Sequence, residues 1–125
     1  MTGFSQFDDV WQAINTETVA VLPIENSYAG SVHTNMYRFL RYEYRIYHAY
    51  DFAVHHCLLS TATDPTTITQ VYSHWQALEQ CYSYCAAHDY QQMPYGDTAG
   101  AAEMVAEAQN PSYGAIASSL AAELY

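Results

Sequence analysis

A chain of 125 residues is one domain at most, and with half its residues hydrophobic and 15% aromatic it is not a disordered one. Thirteen acidic residues against three arginines and no lysine give a net charge of −10. That balance argues against a sequence-independent nucleic-acid binder, which needs a basic patch, and against docking on an anionic membrane surface.

Taken in chain order, the elements alternate. Ser5 followed by Asp8 has the form of a capping box, and Phe7, Val10, Trp11 and Ile14 repeat at helical spacing behind it. VAVLPI, residues 19–24, is a β-rich run stopped near Pro23, and ENSYAGS, residues 25–31, is a polar turn with Gly30. Val32, Met36, Phe39 and Leu40 fit one face of a second helix. Tyr44 to Ser60, with alternation through Ile46, His48, Tyr50 and Phe52, predicts two strands or one long bent strand. TATDPTT, residues 61–67, is a loop by its turn chemistry, and the loop at residues 61–70 is the best candidate for a crossing between two lobes.

The second half is more regular. VYS, residues 71–73, predicts a brief strand, Gln76 to His88 a helix, and Tyr90 to Tyr95 a strand. Asp97 or Thr98 caps a helical stretch that Asn110-Pro111 ends. Tyr113 to Ala117 predicts a strand, and Ser118 or Ser119 caps a last helix running to Tyr125. Strands alternating with helices indicate an α/β layer fold with a largely parallel sheet. The chain opens almost on a helix cap and stops inside a helix, so we expect it to be part of a larger domain.

No apolar run approaches the roughly 18–20 residues of a membrane span, and the start lacks the basic and apolar stretches of a signal peptide. Cys57, Cys81 and Cys85 are an odd number and read as reduced thiols of a cytoplasmic protein. His55, His56, Cys57 and His74 suggest metal ligands, but no C-x-x-C or H-E-x-x-H spacing accompanies them, and neighbours on a strand point to opposite faces. No metal site and no cofactor is expected. Arg38, Arg41 and Arg45 lie at spacings of three and four; they form either a small anion-attracting patch or a solvated helix face.

Three polar turns stand where a strand hands over to a helix: Glu25-Asn26-Ser27 through Ser31, Ser73-His74-Trp75-Gln76, and Asp97-Thr98-Ala99. Open α/β sheets bind ligands beyond the carboxyl ends of their strands, where helix N-termini offer free N–H groups to carboxylates or phosphates. The same serines, threonines and aspartates equally serve as ordinary N-caps.

At these turns the sequence resembles a known family, the prephenate dehydratases. VLPIENSYAGSV, residues 21–32, resembles their PIENS-x-x-G-x-V segment, and VYSHWQALEQC, residues 71–81, their VYSHPQAL-x-QC segment. DTAGAAEMVAE, residues 97–107, is similar to their ST-x-AA-x-x-V helix start, and GAIASSLAAELY, residues 114–125, to their AAIAS-x-x-AA-x-LYGL run. HHCLLS, residues 55–60, resembles the strand that opens their second lobe. The segments occur in the family's order and cover essentially the whole chain.

The resemblance implies a bilobed α/β fold of the type II periplasmic-binding-protein kind. Two small lobes, about residues 1–53 and 54–125, would face a cleft, with the fold incomplete at both ends. It implies that prephenate, or the amine-bearing arogenate, loses carbon dioxide and water without a cofactor. With prephenate the product is phenylpyruvate, on the route to phenylalanine. Carried over, Asn26, Gln76 and Thr98 take the catalytic positions, and Glu25, Ser27, Ser31 and Ser73 bind substrate. A homodimer or higher homo-oligomer is expected, with no nucleic acid or membrane partner. Trp75 stands where the family has proline, and Asp97 where it has serine. The family's GPxGT-x-S opening and its N-x-TRF segment, whose threonine is the main catalytic donor, have no counterpart here. As an isolated segment the chain is therefore expected to be weakly active or inactive. The alternatives are a non-catalytic carboxylate-binding or regulatory remnant of the same fold and an oligomerising pseudoenzyme.

Overall fold

In the computed structural model, which describes residues 2–4 and 6–125, the first helix, α1, spans Phe7–Ala13. Asp8 and Asp9 sit in its first turn, where the partial positive charge of a helix start favours acids. Ser5, the expected capping residue, lies outside the described residues, and Gln6 at the cap position makes no side-chain bond. Contacts divide the chain into two units, residues 1–50 and 51–125. The TATDPTT loop lies within the second unit and so is no crossing between the two.

In the first unit, residues 19–24 form no strand, contrary to expectation. The period-two pattern is present, with Ala20, Leu22 and Ile24 half-buried and Val19 and Val21 exposed. What is missing is a neighbour: no described strand lies alongside to take up the backbone groups. A two-residue hairpin follows, β1 (Glu25–Asn26) against β2 (Gly30–Ser31), with Asn26 opposite Gly30. Gly30 closes the turn at φ +78°, a region where a side chain is strained.

Helix α2 spans His33–Arg41. The expected inward face was Val32, Met36, Phe39 and Leu40, but Met36 and Leu40 are exposed. The inward stripe is Val32, Asn35, Arg38, Phe39 and Tyr42, with Asn35 fully buried. Periodicity assigns an asparagine to the outside; here two hydrogen bonds offset its burial. The unit's core is aromatic. Trp11 meets Phe39 edge-on at 4.9 Å and lies nearly parallel to Tyr42 and Tyr44 at 5.9 and 6.2 Å. Arg38 pairs with Asp8, tying α2 to α1.

Beyond α2 the predicted strand or strands from Tyr44 to Ser60 shrink to β3 (Cys57–Leu59). Ile46, His48, Tyr50 and Phe52 alternate in sequence yet are all exposed, because no described strand pairs with them. The second unit is a four-stranded sheet in the order β3-β6-β4-β5, with β4 at Gln70–Ser73, β5 at Gln91–Pro94 and β6 at Tyr113–Ala117. β4 runs parallel to both β5 and β6, and only β3 is antiparallel. The expected α/β class with a largely parallel sheet is therefore what this unit shows.

Helices cover both faces. On one side α3 (Trp75–Gln80) and α4 (Tyr82–Ala87) bring Ala77, Leu78 and Cys85 against Val71 and Ile116. On the other, α5 (Thr98–Ala108) and α6 (Ser119–Leu124) bring Ala101, Ala102, Val105 and Ala121 against Ala115 and Ala117. Successive residues of β6 thus point to opposite layers, as a pleated strand requires. The single helix expected over residues 76–88 breaks at Cys81, whose ψ of 11° departs from helical values. Gln92 Nε2 donates to Leu78 O at 3.3 Å, the carbonyl that Tyr82 N–H would use in an unbroken helix.

Gly114 has no room for a side chain. A Cβ there would come within 2.9 Å of Leu58 Cδ1 and 3.3 Å of the buried Ile68 Cγ2. Gly114→Ala is expected to cost about 1–3 kcal/mol by overpacking. Urea denaturation checks this, and an unchanged midpoint would mean that Leu58 turns aside freely.

The loop before β4 carries a titratable clasp. Thr66 donates to Asp64 Oδ1 through its hydroxyl at 2.7 Å and its N–H at 2.9 Å. These bonds hold the Asp64 carboxyl below the ordinary carboxylate range. A depressed folded value stabilises above the unfolded value, and the contribution is lost as pH falls through the folded one. Asp64→Asn should flatten that part of the acid limb in a stability-against-pH series; an identical limb in both proteins would remove Asp64 from the account.

Candidate functional site

The polar turns expected to carry chemistry fall into two sets, one in each unit. In the first unit, Glu25, Asn26, Ser27 and Ser31 share the β1–β2 hairpin. Glu25, Ser27 and Ser31 are exposed, and Asn26 is half-buried. Asn26 Oδ1 accepts from Tyr28 N at 2.9 Å and from Ala29 N at 3.2 Å, an Asx turn that shapes the loop. Two N–H donors on one atom fix the orientation of the amide. Its oxygen is engaged, and its Nδ2 is the end free to meet a ligand. The local geometry leaves Asn26 a donor.

The segment leading into this hairpin is held from α2. Val32 N donates to Ile24 O at 2.8 Å. Asn35 Nδ2 donates to Pro23 O at 2.9 Å while its Oδ1 accepts from Trp11 Nε1 at 2.9 Å. Asn35 is 0% and Trp11 1% exposed. Sequence reasoning missed Asn35. The signal was available as a polar residue three places after Val32 on a helix that otherwise turns apolar groups inward.

In the second unit the parallel strands β4, β5 and β6 all end at one edge of the sheet, and α3, α5 and α6 begin there. This edge carries Ser73 and Gln76, three positions apart, and Thr98, more than twenty positions further along the chain. Ser73 is 0% exposed, and its Oγ donates to Ile116 O at 2.5 Å. Its hydroxyl proton therefore clamps β4 to β6 where the backbone ladder runs out. Gln76 and Thr98 are half-buried at the starts of α3 and α5. Neither side chain bonds to another described residue, so both remain open to a ligand.

Each helix start is partly answered by the chain itself. Asp97 Oδ1 accepts from Gly100 N at 2.7 Å, making it the N-cap of α5. Ser118 Oγ accepts from Ala121 N at 3.2 Å on α6, and His74 Nδ1 from Gln76 N at 3.4 Å on α3. A carboxylate already sits at the start of α5, so the dipole there is offset in part. Of the arginines, Arg38 is paired with Asp8, and Arg41 lies 6.0 Å from the Tyr42 ring centroid.

Among the described residues no three His, Cys, Asp or Glu groups are placed to hold a metal. His56 Nε2 lies 3.0 Å from Gln80 Oε1. All three cysteines are free, and burial pushes the Cys81 thiol up, away from thiolate reactivity. No helix among the described residues is long and apolar enough to cross a membrane.

The sequence model of the family described as prephenate dehydratase matches residues 1–125. Arogenate dehydratase 2 of Petunia hybrida is 39% identical over 96% of this chain and 31% of its own length. Arogenate dehydratase/prephenate dehydratase 1, chloroplastic, of Arabidopsis thaliana is 40% identical over the same shares, 96% and 31%. The bifunctional chorismate mutase/prephenate dehydratase of Escherichia coli is 33% identical over 99% of this chain and 33% of its own length. The chain thus spans about a third of these relatives. A solved structure described as GqqA, a novel type of quorum quenching acylase, is 35% identical with a TM-score of 0.57, covering 58% of this chain and 27% of that one.

The Ser73 clamp and the Asp97 cap at the sheet edge give a direct prediction. Ser73→Ala leaves Ile116 O buried without its donor and should cost about 1–3 kcal/mol. Asp97→Ala removes the α5 cap and should cost about 1 kcal/mol. Denaturant melts of the two variants check the order; a larger loss for Asp97→Ala would place the edge's stability in the cap instead of the clamp.

Proposed function

The chain belongs to the prephenate dehydratase family, and from that premise we propose that it carries substrate-contacting turns of a dehydratase acting on prephenate or arogenate. The reaction expels carbon dioxide and a ring hydroxyl together, and the ring becomes aromatic. Aromatisation supplies the drive. What the protein must add is orientation of the substrate and a donor for the departing oxygen.

The observation that carries this reading is the fixed orientation of Asn26. With Oδ1 engaged by Tyr28 and Ala29, its Nδ2 is a neutral donor that needs no proton and no cation. In our reading Asn26 Nδ2 and the Gln76 amide donate to the leaving hydroxyl or a carboxylate. The Thr98 hydroxyl acts beside the start of α5. Glu25, Ser27 and Ser31 line the hairpin side and set its polarity, and Ser73 holds the edge. Neutral donors suit a chain of net charge −10 that meets an anionic substrate. An acyl-transfer reading, prompted by the acylase name of the solved relative, would need a serine with a proton to give to a base. Ser73 donates its proton to Ile116 O.

The bilobed periplasmic-binding-protein-like fold, with lobes near residues 1–53 and 54–125, belongs to this proposal, as do a homo-oligomeric assembly and a cytoplasmic location. Relatives from Arabidopsis thaliana bear chloroplastic names, so the compartment is to be read by localising the protein in its own cell.

In an active form of the protein, Asn26→Ala and Thr98→Ala should each lower turnover of prephenate to phenylpyruvate by about 10²–10³-fold, the usual cost of a lost transition-state donor. The assay is run in parallel with arogenate. Near-parent kinetics in both variants would remove these residues from catalysis. Tight binding of prephenate without turnover would favour the carboxylate-binding remnant.

A further inference from the structure

We propose that Asn35 is the positioning residue of the Glu25–Asn26 turn, acting through the Pro23 carbonyl and itself held by the Trp11 indole. The inference rests on the dehydratase reading for its catalytic consequence, but its structural part stands on the first unit alone.

The geometry is a relay of two bonds through one buried amide. The indole N–H can only donate, so the Asn35 atom that meets it at 2.9 Å is Oδ1. Nδ2 then points to Pro23 O, also at 2.9 Å. Three residues after Pro23 comes Asn26. Between them, Ile24 O is held by Val32 N at 2.8 Å. Both anchors of the turn, Val32 and Asn35, thus belong to the cap and first turn of α2. The hairpin is only two residues per strand, far below what holds a hairpin in place by itself. Its position is therefore set by α2, and the Asn35 amide is oriented from both ends, by the indole donor and by the Pro23 acceptor.

The two ends of the relay differ in what their loss does. Pro23 is exposed, so water can replace the Asn35 donor at its carbonyl. Losing that bond frees the turn more than it leaves a buried group unsatisfied. Trp11 is buried, so losing the indole bond costs stability but leaves the bond from Asn35 to Pro23 in place.

The test compares Asn35→Ala with Trp11→Phe in the protein, well below both melting temperatures. Amide hydrogen exchange is followed by NMR at Tyr28, Ala29 and Val32, and kcat and KM are measured for prephenate and arogenate. Both variants should melt earlier. Only Asn35→Ala should speed exchange at the three amides, on the order of tenfold, the factor of one net hydrogen bond. It should also lower kcat by about tenfold while KM stays within about twofold, because a displaced Asn26 misses the transition state more than the substrate. Equal exchange in the two variants overturns the inference. So does faster exchange with unchanged kcat in an active parent. In a parent without turnover, exchange at the three amides decides the positioning role; a parent that binds neither substrate sinks the dehydratase reading. If Asn35→Ala does not fold, Asn35→Asp takes its place and is followed across pH: once ionised, it keeps the acceptor for the indole and lacks the donor for Pro23.

Discussion

Parallel pairing of β4 with both β5 and β6 is the constraint on which the second unit depends. Parallel strands deliver the chain to the same edge each time, so the following helices must all start there. Ser73, Pro94 and Ala117 end their strands at that edge, and Trp75, Thr98 and Ser119 begin helices from it. Residues separated by more than twenty positions in sequence become neighbours in topology. The edge is then locked by Ser73, whose Oγ reaches Ile116 O, and by Tyr95 N, which donates to Ser73 O at 2.8 Å. The small residues of α5 and β6 let helix and strand approach closely, and the larger ones on the opposite face fill the layer beneath α3 and α4.

The first unit has no such ladder and holds its polar turn by another device. A hairpin with two residues per strand is hung from α2 by Val32 and Asn35. The buried amide takes the role that backbone pairing plays in the second unit. Its burial is tolerated because both ends are bonded, and an aromatic cluster of Trp11, Phe39, Tyr42 and Tyr44 supplies the apolar surroundings.

The second unit caps α3, α5 and α6 from its own side chains. Asp97, Ser118 and His74 each answer an N–H at the start of a helix, and Arg38 is committed to Asp8. The groups left open at the turns, Asn26 Nδ2, Gln76 and Thr98, are uncharged. Such groups hold an anionic ligand by directed hydrogen bonds, which fixes orientation more strictly than a diffuse positive field does.

Residues 70–125 were legible in the sequence because there the local signals agree with the packing. Asp97 caps where a cap was expected, Asn110-Pro111 ends the helix, and β6 alternates between two layers of helices. Residues 19–24 and 44–56 read as strands by the same alternation and are not, since a strand exists only when another supplies its hydrogen bonds. The break at Cys81 was hidden because its cause, the Gln92 side chain on Leu78 O, comes from a different element. The sequence by itself determined the composition of each polar turn, the α/β order of elements over residues 70–125 and the family. Only the tertiary structure decided which end of Asn26 is free, that Ser73 is a clamp, and that Asn35 faces inward. Those three depend on a hydrogen-bond partner outside the local run of chain, and periodicity carries no information about that partner.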